Sequence, residues 1–274
     1  MKIIKISIIT LLIILQPTFA KLPECEKAKI KSLKIGYTYG PDSYVKKSLK
    51  KYAKLHGLKL TQQLLDLNEL NKFNTFIIPG GIDIHPKYYW NRISEKAKTE
   101  IKPLLHLVDS NEEGEKRDQA EMLFIDTYLD KSKREKLAPL VGICRGMQIL
   151  LASQGVPLYI DIKTQLGIPN RIGIKEKIEI KNLPQTHFYK IFGKFDPSFY
   201  AMEWHHQGGN VKYLSNFADK FYFTSFSNND MILESFEFKD LPILGVQFHP
   251  EGSKRNIEKP FFESILNQAC KHKQ

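Results

Sequence analysis

The residues best suited to covalent chemistry surround Cys144, in the segment GICRG. An apolar run precedes this cysteine, a helical pattern follows it, and Gly142 and Gly146 stand two residues to either side. Without side chains at these positions a strand can turn sharply into a helix and project the sulfur outward. The helix N-terminus favours a thiolate, and the Arg145 amide can donate to an oxyanion. The spacing predicts a cysteine nucleophile; a buried structural cysteine is the alternative.

A thiol nucleophile needs a base, and the segment ILGVQFHPE supplies one at the end of another apolar run. Pro250 ends the strand and fixes the backbone, so the His249 imidazole and the Glu251 carboxylate can lie close together. In such an arrangement Cys144 attacks, His249 moves the proton and Glu251 orients the ring. We therefore predict Cys144, His249 and Glu251 as the catalytic residues.

Two glycines follow a third apolar run, in the segment IIPGGID. Glycines directly after a strand let the backbone approach a ligand and present an amide to it. Gly81 is therefore predicted as the second oxyanion donor beside Arg145, with Gly80 as the other choice. A simple turn without a catalytic role is the alternative for this segment.

A common framework must position these three segments, and the order of apolar runs predicts it. Alternating strands and helices, with strands apolar on both faces, favour a parallel sheet covered by helices on each side. Active sites of such sheets form beyond the carboxyl ends of the strands, where all three segments fall. Strands are predicted at residues 33–40, 75–78 and 138–143, and helices at residues 41–57, 114–130 and 145–155.

The second half of the chain has a different pattern. Between residues 156 and 249 the strand candidates are short and more alternating, as in PLYIDI, KIEIK, FYFTSF and ILESFEF. This alternation is typical of antiparallel strands. We therefore predict that part of the sheet is antiparallel and that a helix at about residues 258–271 packs back on it. Residues 21–274 are predicted to form a single domain.

Together, the segments GICRGMQ, GVQFHPE and IPGGIDIHPKYY resemble the class I glutamine amidotransferase-like superfamily. Within it they are similar to the gamma-glutamyl hydrolase and gamma-glutamyl-γ-aminobutyrate hydrolase branch, over most of residues 33–251. The resemblance implies an α/β fold, a three-layer α/β/α sandwich with a mostly parallel, flavodoxin-like central sheet. It also implies hydrolysis of a small-molecule γ-glutamyl amide through a thioester on Cys144, which needs no metal and no organic cofactor.

The resemblance implies further roles by position. Gln148 resembles a residue that contacts the glutamyl head group, and His205 and His206 lie in a segment, EWHHQGG, that resembles a loop lining the same pocket. Packing within the fold is the alternative role for all three. A structural ion-pair network is expected of three residues in the segment EKRDQAEMLFI, namely Arg117, Asp118 and Glu121.

Residues 164–190 fit this branch only loosely, apart from His187. The leaving group is therefore open between a polyglutamate tail, an amine, a cell-wall peptide and ammonia. Three other functions are compatible with the motifs: a glutaminase that feeds a partner synthase, a peptidase of the same superfamily, and a binding protein without turnover. Arg145 argues against the peptidase, because in that branch a histidine tends to follow the cysteine.

The N-terminus has the pattern of a secretory signal peptide. Lys2 and Lys5 precede the apolar segment ISIITLLIIL, and a small residue, Ala20, ends the region. The apolar stretch is shorter than the roughly 20 residues that a spanning helix needs. We therefore predict cleavage of residues 1–20 and a secreted or periplasmic protein without a stable membrane anchor; an uncleaved anchor is the alternative.

Charge and cysteine content limit the possible partners. The formal net charge is +11, but the lysines are scattered among polar residues, which is typical of solvated surfaces, and no aromatic-interleaved basic motif indicates nucleic-acid binding. Attraction to anionic polymers is the alternative. Cys25 and Cys270 lie near the two ends of the exported chain and are predicted to pair, leaving Cys144 free. No pattern indicates the oligomeric state.

Overall fold

The computed structural model describes residues 22–40, 43–133 and 135–273. The predicted signal peptide at residues 1–20 lies outside these ranges, and so does its cleavage site. None of the helices that the structure describes is long and apolar enough to span a membrane.

The core of the molecule is a nine-stranded mixed sheet, accompanied by a separate two-stranded pair formed by β5 and β8. The strands in chain order are β1 (Ser32–Tyr37), β2 (Lys59–Leu64), β3 (Thr75–Ile78), β4 (Leu140–Ile143), β5 (Leu158–Tyr159), β6 (Arg171–Ile180), β7 (Ser198–His205), β8 (Gly208–Gly209), β9 (Phe221–Ser227), β10 (Ile232–Phe238) and β11 (Ile243–Val246).

The large sheet has the order β2-β1-β3-β4-β11-β10-β9-β6-β7. The first five of these strands are parallel to one another, and the last four join antiparallel. The predicted antiparallel part is therefore confirmed. The parallel part carries the three strands, β3, β4 and β11, whose carboxyl ends lead into the candidate catalytic segments, as expected for an open α/β sheet.

Helices cover both faces of the parallel strands. Alternation along β4 sends Val141 and Ile143 into one apolar core, and Leu140 into the other. The first core is covered by α2 and α8, and the second by α4 and α5, which gives three layers. The helices are α1 (Pro23–Lys27), α2 (Tyr44–Leu55), α3 (Glu95–Ile101), α4 (Glu112–Ser132), α5 (Arg145–Ser153), α6 (Ile162–Leu166), α7 (His187–Phe192) and α8 (Arg255–Lys273).

Two details depart from the sequence pattern. The segment PLYIDI, predicted as one strand, contributes only the two residues of β5, because Asp161 caps the next helix, α6, by accepting a hydrogen bond from the Lys163 amide. The helix α7 was not indicated by any apolar periodicity.

The predicted disulfide is confirmed. Cys25 in α1 and Cys270 in α8 are joined across 245 positions of sequence, with their Cα atoms 4.9 Å apart. Cys144 is the free cysteine among the described residues, and it is buried.

Candidate active site

Cys144 occupies a sharp turn between β4 and α5. Its backbone has φ 53° and ψ −112°, a conformation that residues other than glycine rarely adopt. The flanking glycines are required by close approach: a Cβ on Gly142 would lie 2.5 Å from the Gly146 carbonyl oxygen, and one on Gly146 would lie 1.9 Å from the Ile78 carbonyl oxygen. Strained backbone of this kind clusters at functional sites, which supports a nucleophile at Cys144.

His249 and Glu251 follow β11 and form a hydrogen-bonded pair. The Nδ1 atom of His249 lies 2.8 Å from Oε1 of Glu251. Burial opposes a charge on this imidazole, yet its pKa is raised well above the ordinary value, because the Cys144 sulfur and the Glu251 carboxylate both stabilise the cation. Since Nδ1 faces Glu251, the other ring nitrogen is the one left to exchange a proton with Cys144.

Gly80 lies just after β3, so the segments that follow β3, β4 and β11 meet at one place. A Cβ on Gly80 would lie 3.2 Å from Cε1 of His249 and 3.6 Å from Cβ of Cys144. A Cβ on Gly81 would instead meet the Arg117 guanidinium and the Arg145 side chain. The glycine pair therefore lies against Cys144 and His249 on one side and against Arg117 and Arg145 on the other.

Those arginines belong to a buried ion-pair network behind the elbow, here named the Arg145 cluster (Arg117, Asp118, Glu121 and Arg145). The Arg145 guanidinium pairs with both Asp118 and Glu121, and Arg117 Nε donates to Glu121 at 2.8 Å. Two cations thus face two carboxylates in the interior. The ion-pair network expected of Arg117, Asp118 and Glu121 is confirmed.

Arg117 also fixes the glycine loop. It donates from Nη2 to the Pro79 carbonyl at 2.7 Å and from Nη1 to the Gly80 carbonyl at 3.0 Å. In a trans peptide the carbonyl and the following amide point in opposite directions. The amides of Gly80 and Gly81 therefore face away from Arg117, as oxyanion donors would have to do.

Gln148 lies one turn into α5 and is buried. Its Nε2 donates to the Gln207 carbonyl at 3.0 Å and to Gln247 Oε1 at 3.2 Å. Gln207 in turn accepts from the Ile84 amide at 3.0 Å. The segment predicted to line the head-group pocket is therefore tied both to the elbow helix and to the loop that follows the two glycines.

The two predicted histidines occupy different environments. His206 is partly exposed, and its Nε2 lies 2.8 Å from the Asp83 carboxylate, which raises the pKa of His206. His205 is buried, with Nδ1 2.7 Å from the Gln207 carbonyl oxygen, and burial lowers the pKa of His205 to about 4. His206 is thus available to a ligand, whereas His205 is held inside the protein.

His205 belongs to a second buried group, here named the Arg171 cluster (Arg171, Glu203, His205 and Glu234). Its Nε2 lies 3.0 Å from Oε2 of Glu203, and Arg171 Nη2 lies 3.3 Å from Oε1 of Glu234. Burial raises the pKa of both Glu203 and Glu234 to about 8. A carbonyl oxygen only accepts, so His205 Nδ1 carries the ring proton, and the unprotonated Nε2 faces the Glu203 carboxyl.

This cluster lies immediately behind Cys144 and His249. The His249 amide donates to the Met202 carbonyl at 2.7 Å, and the Cys144 sulfur lies 3.7 Å from the Trp204 carbonyl oxygen. Met202 and Trp204 are the neighbours of Glu203 in β7. The Arg171 cluster therefore holds the strand that forms one wall of the site.

The same cluster contains the side chains with the best geometry for a metal ion among the described residues. Glu203, His205 and Glu234 each offer one ligand atom, and these atoms lie within 4.8 Å of one another. Arg171 already brings a positive charge to this group, and burial raises the pKa of its two buried carboxyls.

Comparison with known proteins agrees with this geometry. The family model described as Peptidase C26 matches residues 60–251. The chain belongs to the Peptidase C26 family. Two relatives of this C26 chain are Protein NtpR of Enterococcus hirae, 28% identical over 73% of this chain and 76% of the relative, and the putative glutamine amidotransferase-like protein YvdE of Lactococcus lactis, 26% identical over the same shares.

Solved structures share the fold of the C26 chain. The glutaminase domain of Trypanosoma brucei CTPS, with bound acivicin, has a TM-score of 0.61 at 14% identity and covers 87% of this chain and 94% of its own. A putative GMP synthase component from Thermoplasma acidophilum has a TM-score of 0.55 at 18% identity, covering 88% and 96%. The predicted superfamily and the three-layer α/β/α fold are confirmed: this is a cysteine hydrolase-type amidotransferase fold.

Sequence reasoning did not identify the Arg171 cluster. Arg171 and Glu203 lie in strands whose neighbours alternate between polar and apolar, so neither stands out. Glu234 could have been identified from the sequence, because an acid in a buried, largely apolar strand such as ILESFEF needs a partner. That partner, Arg171, lies 63 positions away in sequence.

Proposed function

We propose that this protein is a cysteine hydrolase that cleaves a γ-glutamyl amide bond through a thioester on Cys144. The observation that carries the proposal is the convergence of three strand ends, which places the strained Cys144 elbow, the His249–Glu251 pair and Gly80 in contact. Nucleophile, base and orienting carboxylate are the set that acyl transfer needs.

In the first step the Cys144 sulfur attacks the γ-carbonyl carbon, and negative charge develops on the carbonyl oxygen. The amides of Arg145 and Gly81 are the proposed donors to this oxyanion. Two features support them: Arg145 is the first residue of α5, and the Arg117 contacts turn the glycine amides away from that guanidinium. Fixed donors of this kind stabilise the transition state without reorganisation.

His249 then gives its proton to the departing nitrogen, the C–N bond breaks, and glutamate remains as a thioester on Cys144. Water replaces the amine, His249 takes one proton from it, and attack on the thioester carbonyl releases glutamate and restores the thiolate. The raised pKa of His249 favours the protonated ring that the first half of this cycle requires.

The glutamyl head group is proposed to bind near Gln148 and His206. His206 is partly exposed and paired with Asp83, so it presents a cationic edge to a carboxylate at neutral or acidic pH. Gln148 and His205 support this pocket by holding the Gln207 carbonyl between them. No metal or organic cofactor enters the proposed cycle.

We further propose that the protein acts outside the cytoplasm. A structural disulfide between Cys25 and Cys270 is characteristic of exported proteins, and it agrees with the signal pattern at residues 1–20. Intact-mass measurement of the protein from the oxidising compartment tests this, because cleavage after Ala20 and loss of two thiol protons both change the mass.

The enzymatic test follows glutamate release from a panel of γ-glutamyl amides by mass spectrometry, with wild-type protein and Cys144→Ala. Release by wild type and its loss in Cys144→Ala are expected. A matched control is Cys25→Ala with Cys270→Ala, which removes the other two cysteines and should leave the elbow intact. Absence of release from every member would instead favour a partner-dependent glutaminase or a binding protein.

A further inference from the structure

A pocket of about 530 Å³ opens beside His249, on the face of the site formed by the start of α2 and the end of β7. Its wall includes His249, Glu251 and Gly80, so it is continuous with the catalytic residues. The remaining lining residues are Ser43, Tyr44, Val45, Pro79, Trp204 and Gly252.

The position of His249 indicates which part of the substrate would bind in this pocket. In the proposed cycle, the imidazole delivers a proton to the leaving nitrogen, so the substituent on that nitrogen lies on the His249 side of the sulfur. The residues proposed for the glutamyl head, Gln148 and His206, are not part of this wall as the structure describes it. The pocket beside His249 is therefore the leaving-group side.

The chemistry of the wall is apolar and aromatic. The Trp204 ring lies edge-to-face against the His249 ring, with centroids 5.9 Å apart and planes at 89°, and Trp204 is 50% exposed. Tyr44, which is 75% exposed, and Val45 also line this pocket. Large exposed aromatic side chains at a cleft are typical of binding surfaces.

The Trp204 ring is held in place by a neighbouring glycine. A Cβ on Gly252 would lie 3.4 Å from Cζ3 of Trp204 and 3.2 Å from Cγ of Met202. The absence of a side chain there lets the indole lie close to the backbone that follows His249. Trp204 is therefore positioned by packing before any ligand arrives, which reduces the entropy lost on binding.

The wall offers little to an anionic leaving group. Among the described residues that line it, none is a lysine or an arginine, and its one carboxylate, Glu251, is engaged by His249. Lys47 is close by, with its ammonium 5.4 Å from the Tyr44 ring centroid, but it is not part of the wall. A polyglutamate tail would therefore bury carboxylates without a matching charge.

We propose that the preferred leaving group is an amine with an aromatic or bulky apolar substituent, which binds between Trp204 and Tyr44. This inference rests on the proposed function and narrows it. It excludes ammonia, which is too small to fill an apolar pocket of this size, and polyglutamate, whose carboxylates find no cation in the wall, as the best leaving groups.

The test measures kcat/KM for glutamate release from four substrates that share the γ-glutamyl group: the phenethylamide, the ethylamide, glutamine, and γ-glutamyl-glutamate. We expect the phenethylamide to exceed the ethylamide by about tenfold or more, since several additional apolar carbons are buried in a formed pocket. The other two substrates should be poorer still.

The matched variants are Trp204→Ala and Trp204→Phe. Trp204→Ala should reduce the ratio of kcat/KM for phenethylamide over ethylamide by about tenfold, whereas Trp204→Phe should keep most of it. Because the readout is a ratio within one variant, general loss of active protein cancels. Thermal unfolding of both variants confirms that they fold.

The outcomes separate this inference from the proposed function. Hydrolysis of all four substrates with no aromatic preference, or with γ-glutamyl-glutamate preferred, would overturn the inference and leave the hydrolase intact. An aromatic preference that survives in Trp204→Ala would also overturn it. Failure to hydrolyse any substrate would overturn both.

Discussion

The two buried charged clusters behind Cys144 differ in the balance between cations and carboxylates. In the Arg145 cluster two guanidinium groups face two carboxylates, and Glu121 accepts from Thr38, Arg117 and Arg145. In the Arg171 cluster one guanidinium pairs with Glu234 and with Glu176 at its edge, and Glu203 pairs with His205. There, several buried atoms have no hydrogen-bond partner among the described residues, including Nε and Nη1 of Arg171.

The two clusters also differ in the pKa values of their buried acids. Burial would raise the pKa of Glu121, but Arg145 and Arg117 together lower it. For Glu203 the effect of burial is larger than the opposing effects of Arg171 and His249, and the pKa rises to about 8. Burial also raises the pKa of Asp118 in the Arg145 cluster, to about 6, so the contrast lies between Glu121, whose pKa two arginines lower, and Glu203, whose pKa lies above neutral.

The largest effect is expected from Glu121→Gln. This change keeps the shape of the side chain but leaves two buried arginines with one carboxylate, and breaking a buried ion pair costs about 3–5 kcal/mol. The free energy of unfolding in urea measures the loss. Activity should fall as well, because Arg145 starts the elbow helix and Arg117 holds the Pro79 and Gly80 carbonyls. A loss below about 1 kcal/mol would contradict this structural role.

Glu203→Gln is the same chemical change in the other cluster, and a much smaller effect is expected. An amide keeps the shape and the neutral charge of a protonated acid, so stability near neutral pH should change by about 1 kcal/mol or less. Loss of the scale expected for Glu121→Gln would show that Glu203 is ionised. Stoichiometric metal in the purified wild type, found by elemental analysis and lost in this variant, would show that a cation balances the cluster.

The pH dependence of folding stability is a second test of the raised pKa of Glu203. An acid whose folded pKa is raised binds more protons in the folded state between its ordinary pKa and about 8, so folding stability from this group is lost as pH rises through that window. Urea midpoints of wild type should therefore fall between about pH 6 and about pH 8.5, and Glu203→Gln should fall less. Parallel curves for the two proteins would contradict the proton on Glu203.

The smallest effect is expected on the surface of the same helix that carries Glu121. Lys116 pairs with Glu112, and both side chains are largely exposed. Lys116→Ala should change the free energy of unfolding by about 0–1 kcal/mol, because solvent screens such pairs. This variant is the control, because it breaks an ion pair that is exposed and not buried. A loss approaching that of Glu121→Gln would mean that burial does not determine how much an ion pair contributes to stability.

The sequence predicted those parts of the molecule that local spacing determines. Each catalytic prediction rests on a pattern within a few positions: Cys144 between two glycines, His249 two residues before Glu251, and glycines after β3. The alternation of strands and helices then predicts that these strand ends meet at one edge of the sheet. The ion-pair network of Arg117, Asp118 and Glu121 was predicted from the resemblance of the segment EKRDQAEMLFI to the gamma-glutamyl hydrolase branch. The Arg171 cluster was not, because its members come from three antiparallel strands whose register no local pattern encodes.

The head-group residues illustrate the same limit. His205 and His206 are adjacent in sequence and equivalent by motif, yet strand alternation sends one ring into the Arg171 cluster and the other towards Asp83. The roles of Gln148, His205 and His206 in substrate binding stay predictions, as do Gly81 and Arg145 as oxyanion donors.

The central claim is that Cys144 carries the glutamyl group during turnover. Intact-protein mass spectrometry after rapid mixing with a γ-glutamyl amide and an acid quench tests it directly, with peptide mapping to locate any adduct. We expect a glutamyl thioester on Cys144 that accumulates in His249→Ala when the substrate has a good leaving group, since the attack by water then lacks its base. Glutamate released by wild type with no adduct on Cys144 in either protein, or with an adduct on another residue, would contradict the account.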